Sequence, residues 1–163
     1  MAQMTDPANA LALFQQAFEC GQIPVQPGRL DPDLLFAPDN PNGHARFNYM
    51  RAEGRLLTAL VMFAQNGMED GHPAFNIGYA VPEAYRGRGL AKSTLVAALA
   101  ELTTGLGAAG IPFIHVEAVI DVDHVVSQRV VSVIFDVVPT AITDSESGLP
   151  ALHYIRKIAL KRS

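Results

Sequence analysis

Residues 77 to 91 read Ile77-Gly78-Tyr79-Ala80-Val81-Pro82-Glu83-Ala84-Tyr85-Arg86-Gly87-Arg88-Gly89-Leu90-Ala91, and they place a strand, a glycine-rich turn and a helix start in succession. Pro82 ends strand pairing because it has no N–H to give. A turn of this kind exposes backbone N–H groups at the positive end of the following helix, a ready site for phosphate. Gly87 and Gly89 lack a Cβ and so let the backbone approach an anion closely. Arg86, Arg88 and Lys92 add positive charge at the same place. The same residues also suit a plain helix start. Two nucleotide readings fail on spacing. A Rossmann fingerprint needs a third glycine where Lys92 stands and a parallel strand upstream. The Walker pattern G-x-x-x-x-G-K-[ST] is absent, although Lys92-Ser93 matches its end.

Downstream, Gly89–Leu106 reads as a helix with Leu90, Leu95, Val96, Leu99 and Leu102 along one side, closed by Gly105, Gly107 and Gly110. Pro112–Asp121 reads as a buried strand. Asp123–Phe135 stays open: Val125, Val126, Val130, Val131, Val133 and Ile134 prefer strand, whereas Asp123 as an N-cap and the central Ser-Gln-Arg suit a helix. Val137–Asp144 and Leu149–Leu160 form a hairpin around Ser145–Gly148. Upstream, Ala74–Val81 is a strand that follows the loop Asn66–His72. Before it, Ala45–Glu53 and Arg55–Gln65 flank the tight turn Glu53-Gly54-Arg55. Asp6-Pro7 caps a first helix carrying Leu11, Phe14 and Phe18, with Gly21 as its stop. Ile23–Asn42 holds five prolines. It is expected to be a long irregular connection, too polar and proline-broken for a strand despite Leu34-Leu35-Phe36. It is either a substrate-side wall or a surface meander.

The chain has 163 residues, 49% of them hydrophobic and 17% charged, the proportions of one folded globular domain. With no internal repeat or low-complexity tract, residues 1–163 are expected to form a single α+β domain. Twelve Lys and Arg against 16 Asp and Glu leave a net charge of −4, which argues against a nucleic-acid partner. The single Cys20 excludes an internal disulfide framework and any multi-cysteine metal site. Beside Phe18 at a helix end, it reads as a small core hydrophobe. Met1 to Asp6 lack the basic start and apolar stretch of a secretory peptide. No run approaches the ~20 apolar residues of a membrane span. A soluble, cytoplasmic protein is expected, with no membrane partner.

The 77–91 stretch resembles motif A of the GCN5-related N-acetyltransferase (GNAT) superfamily, R/Q-x-x-G-x-G/A, with Arg86, Gly89 and Ala91 in its three defining places. Ile114-His115-Val116-Glu117-Ala118 and then His124-x-x-Ser127-x-Arg129-Val130 are similar to the ribosomal-protein N-acetyltransferase-like branch, which reads H-x-x-E-A followed by N-x-x-S-x-R-V. The resemblance runs from about Phe75 to Phe135. It implies a mixed, mostly antiparallel, splayed sheet flanked by helices, whose Ala74–Val81 and Pro112–Asp121 strands part to admit acetyl-CoA. It also implies that Asp123–Phe135 is a helix. Ala80 and Val81 would pair with the pantetheine arm, the turn Arg86–Ala91 (Arg86, Gly87, Arg88, Gly89, Ala91) with Lys92 would hold the pyrophosphate, and His124 would stand at the pantetheine contact. The sequence departs from the pattern at His124, where asparagine is usual, and at Phe135-Asp136 in place of Gly-Phe. It departs again at Val131, where some members carry a tyrosine acid.

Acetyl transfer to an amine needs a base, donors for the oxyanion and an acid for the leaving thiolate. The oxyanion donor would be backbone N–H near Val81. By its match to the branch pattern Ser127 is the expected thiolate acid; it equally suits a locally bonded helix serine. Glu117, mid-strand among apolar neighbours, is the expected base. Pairing with Arg129 or Arg46 is its plain alternative, and Glu83 is the second candidate base. His115 shares the Glu117 strand face and reads as a sheet-face residue. His44, His72 and His153 show no ligand spacing, so no metal is expected. Tyr79 and Tyr154 are candidate walls of an acceptor site. The expected activity is transfer of an acetyl group from acetyl-CoA, as cosubstrate, to a primary amine, either a protein N-terminus or a small amine. Asp121, Asp123 and Glu117 lean toward a cationic acceptor. The alternative is an acyl-CoA sensor that has lost its chemistry, which the three departures favour. The valine-rich Val125–Val138 region and Leu149–Leu160 also suit a homodimer face.

Overall fold

Asp6 opens the first helix: its carboxylate accepts the Ala8 N–H at 2.9 Å, and Pro7 takes the first helical position. A computed structural model describes residues 6–161, so the Met1 to Asp6 stretch, read as lacking a secretory signal, lies outside the described residues except for Asp6. Helix α1 (Pro7–Glu19) is followed by strands β1 (Gln26–Pro27), β2 (Leu35–Asp39), β3 (Arg46–Glu53), β4 (Leu56–Glu69) and β5 (His72–Ala80). Then come α2 (Leu90–Ala108), β6 (Phe113–Asp121), α3 (Val125–Phe135), β7 (Thr140–Thr143) and β8 (Pro150–Ala159). The eight strands make one sheet in the order β1-β2-β3-β4-β5-β6-β8-β7. Every pairing is antiparallel except β5 with β6, the two strands that α2 connects as a crossover. This is the mixed, mostly antiparallel α+β architecture expected.

Alternation along the strands divides two cores between the two faces. Val61, Phe63, Phe75, Ile77, Ile114 and Val116 pack under Leu95, Ala98 and Leu102 of α2 and Val131, Ile134 and Phe135 of α3. On the opposite face, Met50, Leu57, Leu60 and Met62 meet Ala10, Leu11, Phe14 and Phe18 of α1.

Several local expectations give way to tertiary packing. The proline-rich segment contains β2, which pairs with β3 from Leu35↔Met50 to Asp39↔Arg46. β1 covers only Phe36 and Leu35, so the outer edge at Pro38 is free of a partner strand, where a sheet tolerates proline. The expected Asn66–His72 loop is shorter, because β4 continues to Glu69 through an irregularity between Gln65 and Met68. Helix α2 runs past Gly105 and Gly107 to Ala108. Gly107 serves packing rather than termination, since a Cβ there would strike the Lys161 carbonyl. Val96 faces solvent, and Glu101 is among the buried residues of the helix instead. Cys20 is exposed, not core, because the α1 stripe ends at Phe18.

Within Asp123–Phe135, residues Val125–Phe135 are helical despite their valines. The buried face of this helix is Val131, Ile134 and Phe135. Gln128 ties the preceding turn by donating to the Asp121 and Val122 carbonyls at 3.1 and 2.9 Å. Its N-cap is His124, not Asp123, and it ends at Asp136 with φ 45°, a left-handed position that aspartate tolerates. The Arg156 guanidinium donates to the Ile134 carbonyl at 2.6 Å, satisfying one of the last acceptors of the helix. Val125, Val126, Val133 and Val138 remain exposed. Among the described residues no helix is long and apolar enough to cross a membrane.

The connection before β2 is held by Glu101. Its carboxylate accepts the backbone N–H groups of Arg29, Leu30 and Asp31 at 2.9, 2.6 and 2.9 Å. Arg51 adds an ion pair to Asp31 at 2.7 Å and lowers the Asp31 carboxyl below its usual range. Burial raises the nearby Tyr49 hydroxyl, and the Glu101 charge adds to that rise. Replacing Glu101 with alanine strands three donors at once. The expected loss is about 2–4 kcal/mol, read as a thermal midpoint lower by about 10 °C, with Glu101→Gln losing less because one acceptor remains.

Candidate functional site

β5 and β6 touch over only three register pairs, Ala74↔His115, Phe75↔Val116 and Asn76↔Glu117. Beyond them Ile77–Ala80 and Ala118–Asp121 have no pairing with each other, so the sheet opens into a wedge whose vertex is Asn76 and Glu117. At the open end the chain turns through Glu83–Tyr85 into Gly87 (φ 76°) and Gly89 (φ 73°) and enters α2. Gly89 is the N-cap and offers no side-chain bond, which leaves the first N–H groups of α2 free to meet a ligand. Cβ atoms at Gly87 and Gly89 would meet nothing within 4 Å. The positive φ, not crowding, is what requires glycine there.

This turn forms one wall of a cavity of about 390 Å³. Val81, Arg86, Gly87, Gly89, Ala91 and Lys92 line it. The opposite wall comes from α3: Val126, Arg129 and Val130. The free N–H groups, the glycine cradle and the cations Arg86, Lys92 and Arg129 suit a pyrophosphate. Arg129 was not grouped with the turn in the sequence, because only the docking of α3 beside α2 brings it there. Tyr85 also lines the cavity. Its hydroxyl donates to Glu53 at 3.1 Å, which raises it above its ordinary value and ties the turn to the β3–β4 hairpin. Arg86 donates from Nε to the Val81 carbonyl at 3.0 Å and so closes the turn. Arg88 lies off the cavity wall, over the Tyr85 ring at 4.9 Å. Ala80 ends β5 beside the wedge, and His124 caps α3; neither lines the cavity.

At the vertex, Glu117 is half-buried and meets neither arginine proposed for it. Arg46 binds Asp39 at 2.5 Å, and Arg129 lines the cavity. The partner of Glu117 is His153, with Nε2 3.3 Å from Oε2. The β6–β8 register opposes Glu117 to Ile155 and Val119 to His153, so the pair is a diagonal one on a shared face. Spacing along the chain carries no trace of it. His115, on that face, is buried with its Nδ1 unpartnered and its ring 6.4 Å from that of His72. Tyr154 is core, packed 5.6 Å from Phe135. Tyr79 lies on the other face, packed against the core that α2 and α3 cover, and its hydroxyl is buried without a hydrogen-bond partner. Glu83 stays exposed in the turn. Among the described residues no three His, Cys, Asp or Glu gather as a metal set.

By sequence, no family model and no curated protein matches the chain. Solved structures do resemble it. One is an acetyltransferase of the GNAT family from Streptococcus pneumoniae, with a TM-score of 0.54 and 11% identity over 69% of this chain and 66% of that one. A variant of the spermidine N-acetyltransferase SpeG from Vibrio cholerae gives 0.53 and 15% over 73% and 66%. RimL, a ribosomal L7/L12 alpha-N-protein acetyltransferase in complex with coenzyme A, gives 0.51 and 20% over 69% and 62%. The chain spans just under two thirds of each of these structures. The fold is that of the GNAT acetyltransferases.

Because the glycine turn is strained for any residue with a Cβ but not crowded, Gly89→Ala is expected to cost about 1–2 kcal/mol through backbone conformation alone. Urea denaturation measures it; a neutral substitution would show that the turn relaxes.

Proposed function

We propose that the protein is an acetyl-CoA-dependent N-acetyltransferase that moves the acetyl group directly to a primary amine, a protein N-terminus or a small amine. One observation carries this reading: the wedge between β5 and β6 has a phosphate cradle at its open end and a carboxylate at its vertex. The RimL structure holds coenzyme A in the same fold, and the amine acceptors in the names of RimL and SpeG agree with the proposed acceptor class.

The chain's own residues divide the work by position. N–H groups of the Arg86–Ala91 turn, with Arg86, Lys92 and Arg129, bind the pyrophosphate. The backbone at Ala80 and Val81, released from pairing with β6, is free to bond the pantetheine amides, and N–H near Val81 faces the developing oxyanion. Glu117 takes the amine proton, and His153 holds its carboxylate in place. Ser127 on α3 serves the leaving sulfur from the opposite side. Glu117 lies on the α1 side of the sheet and α3, which carries Ser127, on the other, so the approaching amine and the leaving sulfur are served from opposite faces. The second reading, a CoA-binding sensor without chemistry, draws on Val131, which is buried core where some members carry a tyrosine acid.

Calorimetric titration of acetyl-CoA is expected to show binding to the wild type and none to Gly89→Glu, which puts a carboxylate in the anion cradle. No binding to either removes the cosubstrate and the reading with it. With an amine and acetyl-CoA present, release of free thiol separates enzyme from sensor. Glu117→Gln is expected to retain acetyl-CoA binding and lower kcat/KM by about 10²–10⁴-fold.

A further inference from the structure

Nothing within the fold requires glycine at position 105. Gly105 lies inside α2, with neither the positive φ of Gly87 and Gly89 nor the close neighbour that Gly107 has in the Lys161 carbonyl. A Cβ there would meet nothing within 4 Å, and glycine inside a helix is less favourable than alanine. What the missing side chain leaves is space. Gly105 lines a second cavity, of about 350 Å³. It stands at the far end of α2 from the phosphate cradle, about 24 Å from Gly89 along the helix axis.

The walls of this cavity agree on one kind of occupant. The sheet side is aromatic: Phe36 and Phe47 stack at 6.1 Å with their planes 18° apart, and Tyr49 lies 5.0 Å from Phe36. Tyr49 is buried, and its hydroxyl forms no hydrogen bond among the described residues. Glu101, also buried, supplies a carboxylate. Its Oε1 accepts the Leu30 and Asp31 N–H groups, whereas Oε2 accepts only that of Arg29 and keeps a lone pair. Thr104, Gly105 and Leu106 bring in the last turn of α2, the negative end of the helix dipole. A carboxylate, aromatic faces and a helix C-terminus each favour positive charge. Among the lining residues the opposing charge is Arg29, whose side chain is exposed.

We propose that this cavity binds an organic ammonium ion with an apolar body, at a site separate from the wedge between β5 and β6. The body lies against Phe36 and Phe47, over the space that Gly105 leaves open. The ammonium donates to Glu101 Oε2 and to the Tyr49 hydroxyl, which gives both groups the partner they lack. The site stands independently of the acetyltransferase reading, because β4 and β5 separate β3 from the wedge.

The test is a residue-resolved amide NMR titration of the full chain without acetyl-CoA. Phenethylammonium is the probe and 2-phenylethanol its neutral counterpart. Phenethylammonium is expected to give saturable shifts at Tyr49, Leu102 and Gly105, with a Kd at least about tenfold below that of the alcohol. Gly105→Leu fills the space with a better helix former, so it should keep the thermal midpoint and weaken binding by more than about tenfold. Gly105→Gln fills the same space and gives the same reading should leucine disturb folding. Arg29→Gln removes the opposing charge and should tighten binding by about two- to fivefold. The proposal is overturned by equal affinity for the alcohol, or by a folded Gly105 variant that binds within about threefold of wild type. Looser binding to Arg29→Gln overturns it, as does the absence of saturable shifts at Tyr49, Leu102 and Gly105. Shifts confined to Asn76, Glu117 and His153 would place the probe at the wedge instead and overturn it as well.

Discussion

The three-pair parallel contact between β5 and β6 is the constraint on which the rest of the molecule depends. Parallel neighbours need a crossover, and α2 is that crossover. A crossover helix must start where the first strand ends, so the N-terminus of α2 arrives at the open end of the wedge. The phosphate cradle and the gap between the strands are thus two consequences of one connection. Had β5 and β6 paired along their whole length, the backbone at Ala80 and Val81 would be spent on the ladder. It would then have nothing to offer a ligand.

The wedge stays open because each strand is anchored on its far side. β5 pairs with β4 from Leu60↔Ala80 onward, and β6 pairs with β8 over all nine of its residues. Two cores hold the faces. Helices α2 and α3 cover one, and α1 covers β3 and β4 on the other. That leaves the α1 side of β6 and β8 for the polar set Glu117, His153 and His115. Glu101 fixes the connection to β2 by giving three backbone N–H groups a shared acceptor, which turns a proline-rich segment into part of the sheet edge.

Most of the elements could be read along the chain because their causes are local. The Asp6-Pro7 cap, the Gly54 turn, the Pro82 stop and the Gly87–Gly89 turn each follow from one or two residues. The errors have long-range causes. β2 contains a proline and forms only because β3 and Glu101 hold it. Cys20 and Val96, expected in the core, face solvent because burial depends on which neighbour arrives, not on hydropathy. In α3 the valines prefer strand, and burial of Val131, Ile134 and Phe135 against the core outweighs them. There the family resemblance chose correctly where propensity could not.

Sequence by itself determined the α+β class, the α1 cap, the Gly54 hairpin turn and the glycine turn, since periodicity, capping and left-handed backbone positions are properties of neighbouring residues. Tertiary structure alone decided which side chains meet. His153 reaches Glu117 through the β6–β8 register, and Arg129 joins the anion cavity through the docking of α3. Each pair is set by strand register or helix packing between segments far apart in the chain, and no spacing along the sequence encodes those distances.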